Sequence, residues 1–202
     1  MKILIFILFL STNLCLSQEL RYNFDLIGSY KSDNYFRQGL INSENEDYYM
    51  SISNRDSLIY GSLFDIKKKQ IHSFELTKNN LEYKFKYLST KKFNPLNGSL
   101  FVDFEINERD SIINIKEYFN KKKKKEISHS KLLYSNSDKN YYKLFQICCL
   151  QHFSDRKEYF FNSKKVIILM GTVINRKGIT EKFVLHEIEK VNLEIVIDKI
   201  NK

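Results

Sequence analysis

The residues best equipped for chemistry crowd into LFQICCLQHF, where Cys148, Cys149 and His152 share one apolar run. On a helix these three would fall near one face, and with His186 they would make the four ligands that Zn²⁺ takes in a tetrahedral site. No C-x-x-C or H-x-H spacing supports that arrangement, so no metal site is assigned. A Cys148–Cys149 disulfide is the other sharp reading, because an oxidising compartment permits one. Its geometry is unfavourable: adjacent Cα atoms lie about 3.8 Å apart, below the roughly 4.4 Å at which ordinary disulfides begin. Against both stands plain burial, since unpaired cysteine is among the most buried residue types and Leu144, Phe145, Ile147, Leu150 and Phe153 flank the pair.

Other reactive types are scattered. His72-Ser73 and His129-Ser130 place a base next to a hydroxyl, but neighbours on a strand point to opposite faces. His186-Glu187 lacks the second histidine of H-E-x-x-H, and no serine sits in G-x-S-x-G. With six glycines and no G-x-G-x-x-G or P-loop pattern, nothing cradles a phosphate. No catalytic residue and no cofactor follow from these motifs.

The elements that carry these residues read as strands. Ile, Phe and Tyr are abundant and Ala is absent, a composition suited to a half-buried pleated surface. LEYKFKYLS (81–89) alternates Leu81, Tyr83, Phe85 and Tyr87 with Glu82, Lys84 and Lys86, the mark of an antiparallel strand with one wet face. SLFVDFEIN (99–107) is similar. Two longer segments resemble each other: ISNRDSLIYGSLFDIKKKQIHSFEL from Ile52 and INERDSIINIKEYFNKKKKKEISHSKLL from Ile106 share Ile-x-x-Arg-Asp-Ser-(Leu/Ile)-Ile and then a lysine run. Each reads as a three-stranded meander turning at Arg-Asp-Ser and again at the lysines, giving an internal repeat over about 47–89 and 99–134.

On that reading Lys121–Lys125 form a solvated hairpin tip opposite Lys67–Lys69, not an anion site. The formal charge of +9 fits the same view: scarce Gly and Pro beside abundant Lys, Asn and Ile match AT-rich codon usage, and no nucleic-acid partner is expected. KFNPLNG (92–98) separates the copies and carries an Asn97 glycosylation sequon. Residues 141–153 read as a helix or as a buried strand, the helix being preferred because SDRKE after it reads as a terminating turn; then come the strand VIILMGTVIN, a turn at Gly178, the strand ITEKFVLHEIE, and Val191–Ile197 as a third strand or the start of a C-terminal helix.

The stretch from Gly171, with Gly171, Val173, Gly178 and Val184 in place, resembles the C-terminal domain of TonB-type envelope proteins. The resemblance implies strand, turn and strand before a helix, but the alternating Val191–Ile197 occupies the helix position.

MKILIFILFLSTNLCLSQ reads as a secretory signal peptide, one lysine before an unbroken apolar run, cleaved near Ser17. Lipidation at Cys15 is the poorer reading because bulky Leu14 precedes the cysteine. No later segment reaches the roughly 20 apolar residues of a membrane span. The expectation is therefore one exported β-rich domain over 18–202, periplasmic or secreted, with antiparallel meanders closing into a barrel or a two-sheet sandwich. Three functions fit: a non-enzymatic protein binding an envelope protein or polysaccharide, a barrel carrier of a small apolar ligand or lipid, and a hydrolase built from dispersed carboxylates and histidines.

Overall fold

The computed structural model describes residues 19–198 apart from 34, 56, 80–81, 93–100, 120–121, 124, 151–164 and 176. The candidate signal peptide, the Asn97 sequon and His152 lie outside the described residues.

Six strands form a first meander: β1 (Leu20–Lys31), β2 (Phe36–Asn42), β3 (Asn45–Arg55), β4 (Leu58–Asp65), β5 (Gln70–Asn79) and β6 (Glu82–Lys92). Then come β7 (Phe101–Asn107), β8 (Ile112–Tyr118), β9 (Glu126–Asn136), helix α1 (Tyr142–Cys149), β10 (Val166–Asn175) and β11 (Thr180–Ile197). All eleven strands join one antiparallel sheet in the order β6-β5-β4-β3-β2-β1-β11-β10-β9-β8-β7. The chain closes on itself only at β1 and β11, which pair from Leu20–Ile197 to Lys31–Val184.

The sheet does not close, which corrects the expected barrel or sandwich: β6 and β7 remain its edges. Side chains nevertheless roll its first half. In a flat sheet β1 and β5 would stand about 19 Å apart, as would β2 and β6. Yet the Tyr22 hydroxyl of β1 reaches both Asp65 of β4 and His72 of β5, and the Tyr83 hydroxyl of β6 reaches Gln38 of β2. Twist and coil bring one side of the sheet over itself, and Phe24, Met50, Leu63, Phe74 and Ile195 fill the inside.

The opposite face carries α1. Its Leu144, Phe145, Ile147, Cys148 and Cys149 pack on Leu26, Tyr30, Ile41, Tyr49 and Phe183, forming a second core. Strand β1 serves both: its start alternates buried and exposed residues, whereas Leu26 to Tyr30 is buried throughout. The helix needs a flat seat, supplied by Gly28 and Gly39, which are opposite each other on β1 and β2. A Cβ on Gly28 would stand 2.2 Å from Leu144 Cδ2, and one on Gly39 would stand 3.1 Å from both Leu144 Cδ1 and Ile147 Cγ2.

The two similar segments fold as β3-β4-β5 and β7-β8-β9, and each runs across the sheet in the same sense. Ser57 and Ser111 both take positive φ at the first turn, and Lys69 and Lys123 both do so at the second; each pair is 54 positions apart. The expected separate strand at Val191–Ile197 is instead the end of the 18-residue β11. That continuity also departs from the TonB-type pattern, which requires a helix there.

Candidate functional site

A cavity of about 430 Å³ lies on the inner face of the rolled half, within the size range of small-molecule sites. Strand alternation places its lining in rows across β2, β1 and β11. Ser29 stands between Gln38 and Glu187, and one step along Ile27 stands between Leu40 and Glu189. Val191 and Leu193 extend the apolar end, and Tyr83 of β6 overhangs the floor. The Tyr83 hydroxyl donates to Gln38 Oε1 at 3.2 Å, so the overhang is tied to the floor. The Ser29 row is thus polar, while aliphatic side chains dominate from the Ile27 row onward, with Glu189 at the edge of that row.

Two features mark the polar end. Ser29 is 1% exposed, and its Oγ has no hydrogen-bond partner among the described residues. A buried hydroxyl without a partner costs about 1–3 kcal/mol, so such groups are uncommon in a folded core. Glu187 and Glu189 bring two carboxylates to the same cavity, and among the described residues no Lys or Arg lines it. In a chain of formal charge +9 this local reversal of sign is a property of the site.

A second polar cluster lies further along the same face. Asp65, His72 and Tyr22 are buried, and with His72 neutral every hydrogen runs one way. Tyr87 donates to Thr90 Oγ1 at 2.7 Å, Thr90 to His72 Nδ1 at 2.6 Å, His72 Nε2 to Tyr22 Oη at 3.1 Å, and Tyr22 to Asp65 Oδ2 at 2.8 Å. Lys68 completes the end, its amide 2.7 Å from Asp65 Oδ1 and its Nζ 3.3 Å from Oδ2. Burial holds the His72 imidazole below its ordinary value; Lys68 adds to this and Asp65 opposes it. Burial, then the Asp65 bond, pushes the Tyr22 phenol far up. Thr90 beside His72 has the order of a nucleophile and its base, but its hydroxyl is engaged on both sides. The chain of bonds satisfies polar groups that the roll has buried.

The residues singled out by sequence are dispersed. Cys148 and Cys149 are separate, buried thiols on α1, and Cys148 Sγ–H points to the Gly28 carbonyl at 4.0 Å. Burial pushes the Cys148 thiol up to about 12 and Cys149 well above its ordinary value, which disfavours the thiolate that metals and nucleophilic chemistry require. His186 packs edge-on against Phe36. Among the described residues no three His, Cys, Asp or Glu side chains are grouped to hold a metal. His129 is on the face opposite Ser130, and its Nε2 is buried without a partner among the described residues.

Sequence reasoning missed Ser29, Gln38 and Tyr83 as a group because they come from strands far apart in the chain. The one signal that could have pointed there is the Glu187-x-Glu189 spacing, which puts both carboxylates on one strand face. No known family, curated protein or solved structure matches this chain.

Proposed function

We propose that this chain is exported through its N-terminal apolar segment and serves, outside the cytoplasm, as a non-catalytic binding protein for a small amphipathic molecule. The observation that carries this reading is the cavity with an aliphatic floor at Ile27, Leu40, Val191 and Leu193 and an unpartnered buried hydroxyl, Ser29, at its other end. A closed barrel is not needed, since the partial roll under Tyr83 encloses the site. Backbone amide shifts followed during titration with 1-decanol test the reading. Saturable shifts centred on Ile27, Ser29, Leu40 and Val191 are expected; shifts spread evenly over the surface, or none, would refute it.

Docking of an envelope protein is the second reading, favoured by an exposed apolar row. Val184 and Met170 are directly opposite on β11 and β10, at 48% and 47% exposure, with Leu133 of β9 next in register. A Met170→Lys/Val184→Lys variant that folds normally and still co-purifies with the same envelope protein as the unaltered chain would rule out this surface.

A further inference from the structure

We propose that the polar end of the cavity takes the protonated amine of a ligand whose hydrocarbon tail lies along Ile27, Leu40, Val191 and Leu193. This rests on the cavity being a ligand site and adds the chemical class of the ligand's head.

What the lining groups can accept decides the head group. An ammonium has three donors and no acceptor, so its site must offer acceptors only. Ser29 Oγ, buried and without a partner among the described residues, offers lone pairs at the deep end of the polar row. Directly opposite on β11, at the open rim of the cavity, the exposed Glu187 carboxylate makes no hydrogen bond or ion pair among the described residues. Glu189 adds a second negative charge one step along the same strand face.

Other head groups fit less well. A carboxylate head would enter beside the Glu187 carboxylate, and among the described residues no Lys or Arg lines the cavity to offset the repulsion. A hydroxyl head would satisfy Ser29 and leave the charge of Glu187 unused. A quaternary ammonium would answer the charge but bring no N–H to Ser29. A primary or secondary amine meets both requirements.

The tail has a matching track. The row spacing along a strand, two residues or about 6.8 Å, carries the ligand from the Ser29 row to the Ile27 row, and Val191 and Leu193 continue the apolar wall beyond it. A ten-carbon chain suits a cavity of this size.

Calorimetric titration of the full folded protein with decylamine, 1-decanol and decanoate at pH 7 and low salt separates the possibilities. Decylamine should bind roughly tenfold more tightly than 1-decanol, with decanoate weakest, and added salt should narrow the gap. Glu187→Gln should bring decylamine down toward the affinity of 1-decanol. Glu194→Gln, a carboxylate paired with Arg21 outside the cavity, should keep the preference. Decanoate binding as well as decylamine, or a preference that survives Glu187→Gln/Glu189→Gln, would overturn the amine assignment while leaving the cavity as a site for apolar chains. Failure of all three compounds to bind would overturn the site itself.

Discussion

Replacing Gly28 by alanine should dislodge α1 from the sheet. The new Cβ would stand 2.2 Å from Leu144 Cδ2 and 3.2 Å from the Glu187 carbonyl oxygen, where carbon atoms ordinarily settle at about 3.5–4.0 Å. Leu144 is fully buried, and a swing toward β2 is blocked because the Gly39 position already has Leu144 Cδ1 and Ile147 Cγ2 close above it. The helix must therefore lift or Leu144 must leave its rotamer. Overpacking of this kind costs about 1–3 kcal/mol, and for a chain of this length each kcal/mol lowers Tm by roughly 2–4 °C. We expect a loss of about 2 kcal/mol, or roughly 4–8 °C, in a circular dichroism melt. Leu144→Ala alone should cost about 2–5 kcal/mol through the cavity it leaves, but the Gly28→Ala/Leu144→Ala double variant should lose less than the two together, because the methyl added on β1 partly fills that space. A Gly28→Ala protein that melts within about 1 °C of the parent, or losses that add to within about 0.5 kcal/mol, would refute the glycine-seat account.

Three further expectations concern the buried polar and thiol groups. The folded-state pKa of His72 is lowered, so between that value and the unfolded value near 6.5 only the unfolded chain takes up the proton. Stability should therefore fall as pH drops from about 7 toward 5, and His72→Gln should show a smaller drop in urea midpoint between those pH values; equal drops would contradict this. Tyr22→Phe removes one of the donors to the buried Asp65 carboxylate, which keeps only Lys68, and leaves His72 Nε2 without an acceptor, at a cost of about 1–3 kcal/mol in urea unfolding. Cys148 and Cys149 should resist iodoacetamide at pH 8 in the folded protein, react after unfolding, and give the dithiol mass; a native mass about 2 Da lower would establish the vicinal disulfide instead.

Local patterns were readable wherever one face of a strand is wet. The alternation of Tyr83, Phe85 and Tyr87 gave β6 and its inner face, and the Arg-Asp-Ser and lysine signals marked turns at which Ser57, Ser111, Lys69 and Lys123 take positive φ. The helix at Tyr142–Cys149 was only partly legible: the spacing of Leu144, Phe145 and Cys148 suits a helix, but a run apolar on both faces suits a buried strand as well. The roll was not, because the openness of the sheet depends on tertiary reach: Tyr22 to Asp65 and Tyr83 to Gln38 are separated by 43 and 45 residues. Ser29 was invisible for the same reason, since nothing in IGSYK distinguishes a serine satisfied by a neighbour from one left facing a cavity. The cysteines drew attention through their reactivity, yet their setting between the two glycines and Phe183 is that of packed core.

The chain contains no tryptophan, so one placed at Tyr83 becomes the sole indole and sits over the cavity. Titrating Tyr83→Trp protein with 1-decanol while recording emission tests the ligand site directly, with Phe104→Trp on the exposed edge strand β7 as the comparison. With a ligand in the cavity, Tyr83→Trp should give a saturable blue shift and Phe104→Trp none. An unchanged Tyr83→Trp spectrum, or the same shift in both proteins, would contradict the ligand site.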